Sequence, residues 1–369
     1  MREPNGWTRR DFLTSTSCLG AAMACARFLP AAWGAESIAQ DPRVAATPLL
    51  DKGFASTRRI GDGVYATIAD PTKGLDAMCN GGFVAGKDAA LLIEGHFSPT
   101  GAAYELEALR MVSQAPLRGA LDTHYHFDHS FGNAFYGAQR IPIWAHKQAI
   151  PLMVERYAGL QGRDLSAMVA PAEKRVREAA DETERQRAQS DLGMLQIVTQ
   201  TVSSTVVALP NLPLEPAKLP MTVDLGGVKA VIETYPGHTP TDLIVRVPEQ
   251  NIVFTGDLLF NGSYPVAFDA EMSAWIRTLD TFAAFSKDTL FVPGHGPVCG
   301  PEGIATERAV LEDLREHAQK MYRAGVPVEE AQRRYVQPES FKSLRYFSWS
   351  FSIGAAIEKF YAEFKAGKM

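Results

Sequence analysis

Apolar and polar positions along this chain follow two periods, and the changes of period mark out the elements. Between residues 82 and 94, two apolar runs flank Gly86-Lys87-Asp88, the pattern of a hairpin. Ala103, Leu106, Leu109 and Met111 fall at helical spacing and predict a helix over 102–113. Short strands are expected at 119–123 and 141–145, then at 221–224, 228–234, 243–247 and 252–255. Gly226-Gly227 and Glu249-Gln250-Asn251 serve as turns between them. A helix over 272–285 and a strand at 290–292 follow, and from Pro301 onward the pattern is helical. Residues 147–220 break this rhythm. Glu, Arg and Gln of mixed sign crowd 172–191, which reads as a solvated helix. Four prolines between Leu209 and Pro220 then require extended chain.

The fold class expected from this pattern is an α/β sandwich with helices on its outer faces. Residues 58–300 form the main domain, interrupted by a helical and proline-rich insertion at 147–220. Residues 36–57 are expected as an irregular arm, and 301–369 as a helical extension packed on the domain. No repeat of fixed period is present.

Composition narrows the setting. Of the 369 residues, 46% are hydrophobic and 21% charged, as in ordinary soluble proteins. The net charge is −5 and no long basic run occurs, which argues against nucleic acid as a partner. Residues 1–35 read as a twin-arginine export signal. Thr8-Arg9-Arg10-Asp11-Phe12-Leu13 precedes an apolar stretch to about Leu29, and small residues follow at Ala31, Ala32, Gly34 and Ala35. The expected location is the periplasm. The apolar run is short and partly polar, so stable membrane insertion is not expected after its removal. Of four cysteines, Cys18 and Cys25 lie in the signal, leaving Cys79 and Cys299 as a pair or as two separate thiols. Oligomeric state is left open.

The candidate chemistry centres on His124-Tyr125-His126-Phe127-Asp128-His129, which holds three of the eight histidines. Imidazole nitrogen and carboxylate oxygen are donors that zinc accepts. On an extended segment His124 and His126 share one side and can grip one ion, while Asp128 and His129, past the turn, can face another. His238 in Pro236-Gly237-His238 and His295 in Pro293-Gly294-His295 follow expected strands, and each sits beside a glycine that permits a sharp turn. Asp257 follows the strand at 252–255 in Thr255-Gly256-Asp257.

This order of motifs resembles the metallo-β-lactamase superfamily over about residues 58–300. The resemblance implies an αββα sandwich with its site at one edge. It implies that His124, His126 and His238 bind a first metal, that Asp128, His129 and His295 bind a second, and that Asp257 bridges them. Two zinc ions are the implied cofactor, with iron or manganese as alternatives. Aspartate at position 257 is similar to lactonases and glyoxalase-II-like thioesterases, since common zinc β-lactamases carry Cys or Ser there. The stretch from Gly237 to Asp242 nevertheless also resembles the zinc β-lactamase hairpin. Glu94 replaces the usual aspartate at its strand end and is a candidate to orient a ligand histidine. His96 departs from the usual small residue and is expected at the surface, against the alternative that it reaches the rim of the site.

The function implied is hydrolysis of a small-molecule lactone, thioester or β-lactam by a metal-bridging hydroxide, with Asp128 also moving a proton. Tyr264, seven residues after Asp257, is a candidate oxyanion donor, against the alternative of a half-buried loop tyrosine. Asn133 reads as a turn residue and His146 as a supporting one. Phe347, Trp349 and Phe351 read as core packing, with a lid over the site as the sharper alternative. Two other classes remain open: a mononuclear iron sulfur dioxygenase, and a non-catalytic periplasmic metal-binding accessory protein.

Overall fold

A computed structural model describes residues 41–367 apart from residue 161, so the expected export signal lies outside the described residues. Strands β1 (Leu50–Asp51), β2 (Ala55–Gly61), β3 (Val64–Ala69), β4 (Gly81–Ala85) and β5 (Ala90–Ile93) pair antiparallel in chain order. Helix α1 (Pro99–Val112) then crosses over to β6 (Leu117–Leu121), which runs parallel to β5. Ser98 caps α1 by accepting from the Gly101 N–H. Two short helices, α2 (Phe127–Ser130) and α3 (Asn133–Ala138), lead to β7 (Ile143–His146). The expected irregular arm is in part ordered sheet, because β1 and the start of β2 lie within 36–57.

The insertion contributes α4 (Ala149–Arg156), α5 (Val169–Arg177), α6 (Glu182–Ser204) and the edge strand β8 (Leu212–Leu214). The mixed-charge stretch at 172–191 is divided between two helices, because the Asp181 side chain caps α6 through the Glu184 N–H and starts a new helix. A second sheet follows, built from β9 (Met221–Asp224), β10 (Lys229–Thr234), β11 (Leu243–Val247), β12 (Ile252–Phe260) and β13 (Leu290–His295). Helix α7 (Met272–Ala283) joins β12 to β13. The tail forms α8 (Pro301–Arg323), α9 (Val328–Arg334), a π turn at Ser350–Gly354 and α10 (Ala355–Lys365).

The period of two in the strands decides the layers. In β5, Leu91 and Ile93 point into the core between the sheets, whereas Ala90 and Leu92 pack outward with Ala102, Ala108 and Leu109 of α1. In β11, Leu243, Val245 and Val247 point inward, and Ile244 packs outward in the cluster that holds Trp275 and Leu279 of α7. The architecture is therefore helix, sheet, sheet, helix, as expected, with the C-terminal helices on the outer face of the second sheet. Among the described residues no helix is long and apolar enough to cross a membrane.

Candidate metal centre

The candidate ligands converge at one edge of the sandwich, past the ends of β6 and β10, at the end of β13 and within β12, which runs on through Asp257 instead of stopping at 255. Donor atoms of His124, His126, His238 and Asp257 lie within 4.8 Å of one another, and so do those of Asp128, His129 and His295. All seven residues are buried. Asp257 joins the two groups through separate oxygens. Its Oδ1 lies 3.1 Å from His129 Nε2 and 3.3 Å from His295 Nε2, and its Oδ2 lies 3.4 Å from His238 Nε2.

Two glycines make this approach feasible. Gly256 has a φ of +51°, and a Cβ there would meet the Thr123 hydroxyl at 2.4 Å. A Cβ on Gly294 would meet Asp257 Oδ1 at 1.9 Å. The register shifts between β12 and β13 around Gly256 turn Asp257 toward the site.

Partners behind the rings settle which imidazole nitrogen faces inward. His238 Nδ1 donates to the Val266 carbonyl at 2.9 Å, so its Nε2 carries a lone pair. His126 Nε2 donates to Asp269 Oδ2 at 3.0 Å, which leaves the lone pair on Nδ1. These two atoms stand 2.9 Å apart, close enough for both to bind one ion or, without an ion, for one ring to donate to the other. Thr123 donates to Glu94 Oε1 at 2.6 Å and is free to accept from His124 Nδ1 at 3.1 Å. His124 Nε2 is buried without a hydrogen-bond partner. Glu94 Oε1 also lies 3.1 Å from His129 Nδ1, close beside that ring, while its hydrogen bond goes to Thr123. Glu94 takes a φ of +88°, an uncommon conformation held here by its buried contacts.

Electrostatics agree with this donor set. Burial, reinforced by the neighbouring imidazoles, holds His124 well below its ordinary range, and burial holds His238 down to about 3. Both rings are therefore neutral and ready to bind a cation. Burial opposes ionisation of Asp257, yet His295, His129 and His238 hold its carboxyl well below its usual value. Burial likewise opposes protonation of His295, but Asp257 and Asp128 raise it to about 10. That last site is a demand for positive charge, which a metal ion meets in place of a proton. The buried, convergent imidazoles and carboxylates thus fit two divalent ions.

A model of the metallo-β-lactamase superfamily matches residues 75–295. The chain belongs to the metallo-β-lactamase superfamily. Its members are generally metal-dependent hydrolases. The chain is 33% identical over 88 residues to the type 2 metallo-beta-lactamase of Bacteroides fragilis, covering 23% of this chain and 35% of that protein. It is 33% identical over 82 residues to an uncharacterized protein of Mycobacterium tuberculosis, covering 20% and 37%. These matches thus span little more than a third of the curated relatives' length. Among solved structures, a stereoselective inverting sec-alkylsulfatase from Pseudomonas sp. superposes with a TM-score of 0.58 at 18% identity, covering 84% of this chain and 50% of that chain. A double mutant of that alkylsulfatase gives 0.62 at 15% identity, covering 98% and 63%.

Outside the ligand set, the superfamily pattern leaves several side chains to be placed by the structure. Tyr264 is not part of the centre. Its side chain is fully buried, and its hydroxyl pairs at 3.0 Å with that of Tyr335, which in turn donates to Asp313 at 2.8 Å. The tail arrives over this loop, and its Tyr335 takes the hydroxyl expected as an oxyanion donor. His96 is likewise buried and not exposed, with Nδ1 3.7 Å from Cys79 Sγ and Nε2 3.4 Å from Glu105 Oε2. The turn at Glu94-Gly95-His96 directs it inward, His96 itself taking a φ of +58°. Asn133 donates to Asp122 Oδ2 at 2.7 Å, and His146 Nδ1 accepts from the Gln148 N–H at 3.2 Å, so both are supporting residues. Cys79 and Cys299 are separate, buried, free thiols.

Sequence reasoning missed Asp269, whose carboxylate takes His126, the Tyr125 hydroxyl and Arg156 together. It also placed too little weight on the lid. Phe347 packs against the His295 ring with centroids 4.8 Å apart, and Phe351 against Phe268 at 5.2 Å. Phe347, Phe351 and Met194 of the insertion all line the cavity beside His126, Asp128, Asp257 and His295. Trp349, the middle residue, instead packs in the core under Arg187, 4.4 Å from its ring centroid.

Proposed function

We propose that this chain is a dinuclear zinc hydrolase acting on a carbonyl compound, namely a lactone, thioester or β-lactam. The observation that carries the reading is Asp257 turned so that one carboxylate oxygen faces each ligand group. When bound there, a pair of divalent ions supplies a water activated near neutral pH and Lewis-acid polarisation of the scissile carbonyl.

The chain's own residues do the remainder. His124, His126 and His238 hold one ion position, and Asp128, His129 and His295 hold the other. Asp269, the Val266 carbonyl and Thr123, itself bonded to Glu94, orient the rings of His126, His238 and His124. Asp128, at the cavity wall with Oδ2 3.2 Å from His295 Nε2, is placed to accept a proton from an attacking water and return it to the leaving group. No Ser or Cys nucleophile is needed.

The second ligand group favours this over a mononuclear iron dioxygenase, for which Asp128, His129 and His295 would have no ion to hold. The likeness to an alkylsulfatase is one of fold. Among the described residues lining the cavity none is Lys or Arg to neutralise a sulfate ester, and a carbonyl substrate requires none. The run from Thr8 to Leu13 supports a periplasmic location, which fractionation of a cell expressing the full chain tests directly.

The deciding assay offers the zinc-loaded protein nitrocefin, a simple lactone and a thioester. Hydrolysis of at least one, abolished in Asp257→Ala, is the expected result. Iron-dependent oxygen uptake with no hydrolysis would replace the reading.

A further inference from the structure

Resting on that hydrolase reading, we propose that the site selects uncharged substrates with an apolar acyl side and discriminates against carbonyl compounds that carry a second, anionic group. Apolar side chains wall most of the cavity. Met78 comes from the loop before β4, Met194 from the insertion helix α6, Phe268 from the loop after β12, and Phe347 and Phe351 from the tail. Four separate parts of the chain each contribute a large apolar side chain. The polar lining consists of the metal ligands His126, Asp128, Asp257 and His295.

Arg156, which stacks on the cavity-lining Phe268, is already engaged. Arg156 pairs with Asp269, and its guanidinium lies 5.5 Å from the Tyr125 ring centroid and 5.6 Å from that of Phe268. It is tied to the carboxylate that orients His126, so turning it toward a substrate would loosen a metal ligand. The bound ions would be occupied by the scissile carbonyl and its attacking water, so a second carboxylate, seated among the apolar side chains, would shed its water and find no Lys or Arg among the described lining residues, a costly transfer for an ion. An alkyl group would gain from the same burial. β-Lactams that bear a ring carboxylate fall on the disfavoured side.

Size points the same way. The cavity has a volume of about 30 Å³, room for about two waters. Any ester must therefore displace part of the wall. Met194, unbranched and adaptable, and the two tail phenylalanines are the side chains to move. Each added carbon of substrate is then met by apolar surface.

Two paired measurements on the full, metal-loaded chain test this. Calorimetric titration compares butanethiol with mercaptopropionate, whose thiols reach the metal end and whose tails differ chiefly in a carboxylate. Steady-state hydrolysis compares nitrophenyl butyrate with the mono-nitrophenyl ester of succinate. The expected result is a preference of at least about tenfold for the neutral member of each pair, equivalent to about 1.4 kcal/mol. Met194→Lys, which places a cation on the cavity wall, should narrow or reverse both preferences. Phe347→Ala should raise kcat/KM for a longer nitrophenyl ester relative to the butyrate. Hydrolysis of both esters at equal rates, or faster hydrolysis of the succinate, would overturn the inference and leave the hydrolase reading intact. A neutral preference among the thiols with neither ester, and none of nitrocefin, the lactone and the thioester, hydrolysed would uphold the pocket and remove the hydrolase reading. Equal binding of the two thiols overturns the pocket whatever the esters do.

Discussion

Asp269 Oδ2 lies 3.0 Å from His126 Nε2, and this contact decides that His126 presents Nδ1 to the metal centre. The two residues are 143 positions apart in the chain, and the same carboxylate also takes Tyr125 and Arg156. One acid therefore couples a metal ligand to the insertion helix α4.

Asp269→Ala should weaken metal binding by about 10- to 100-fold, as loss of an outer partner to a ligand histidine generally does. Competition with a chromogenic chelator measures it. Unchanged affinity would mean that packing alone fixes the His126 ring.

The same carboxylate sets a pH dependence. Burial opposes its ionisation, but His126, Tyr125 and Arg156 hold Asp269 well below the usual carboxylate range. Its folded value is thus depressed relative to an unfolded value of about 3.9. The stability it contributes is present above that unfolded value and is lost as pH falls through the folded one. Urea unfolding of wild type and Asp269→Asn should show a gap near neutral pH that shrinks at about pH 3. A gap that widens in acid would contradict the ion pairs described.

Much of the centre was legible in the sequence because its ligands sit in short local motifs. The run from His124 to His129, and the glycines before His238, Asp257 and His295, are visible without any long-range information. The strand pattern was legible for a similar reason, since inward and outward positions alternate within each strand. What surrounds the ligands was not. Asp269 lies on an irregular loop and meets His126 only through the fold. Tyr264 looked free because its partner Tyr335 is 71 residues away on the tail. His96 seemed destined for the surface because nothing local announces the Cys79 and Glu105 that flank it. Phe347 and Phe351 bear on the centre only because the tail returns across it.

Tyr264→Phe should leave kcat and KM unchanged and cost about 0.5–1.5 kcal/mol of stability from the lost hydrogen bond to Tyr335. Chemical denaturation beside steady-state kinetics checks both halves. A fall in kcat of a hundredfold with the fold intact would restore Tyr264 to the catalytic machinery.

Asp191 fastens the tail to the insertion. It accepts from the Ser348 hydroxyl at 2.6 Å, the Ser350 N–H at 2.9 Å and Arg175 at 3.0 Å, and the two serines lie between Phe347 and Phe351, the phenylalanines over the site. Asp191→Ala should therefore free the stretch around 344–351, giving faster proteolytic cleavage there and a stability loss of about 1–3 kcal/mol. Cleavage at the wild-type rate would show that the aromatic contacts alone hold the strap.

The central claim is that two ion positions share Asp257. Elemental analysis of the full chain and of Asp257→Ala, both purified without added metal and dialysed identically, tests it most directly. The account predicts about two zinc per wild-type chain, as the two ligand groups require, and at most about one in the variant. One ion in both proteins, or two in both, would contradict a bridging role for Asp257 and with it the dinuclear centre proposed here.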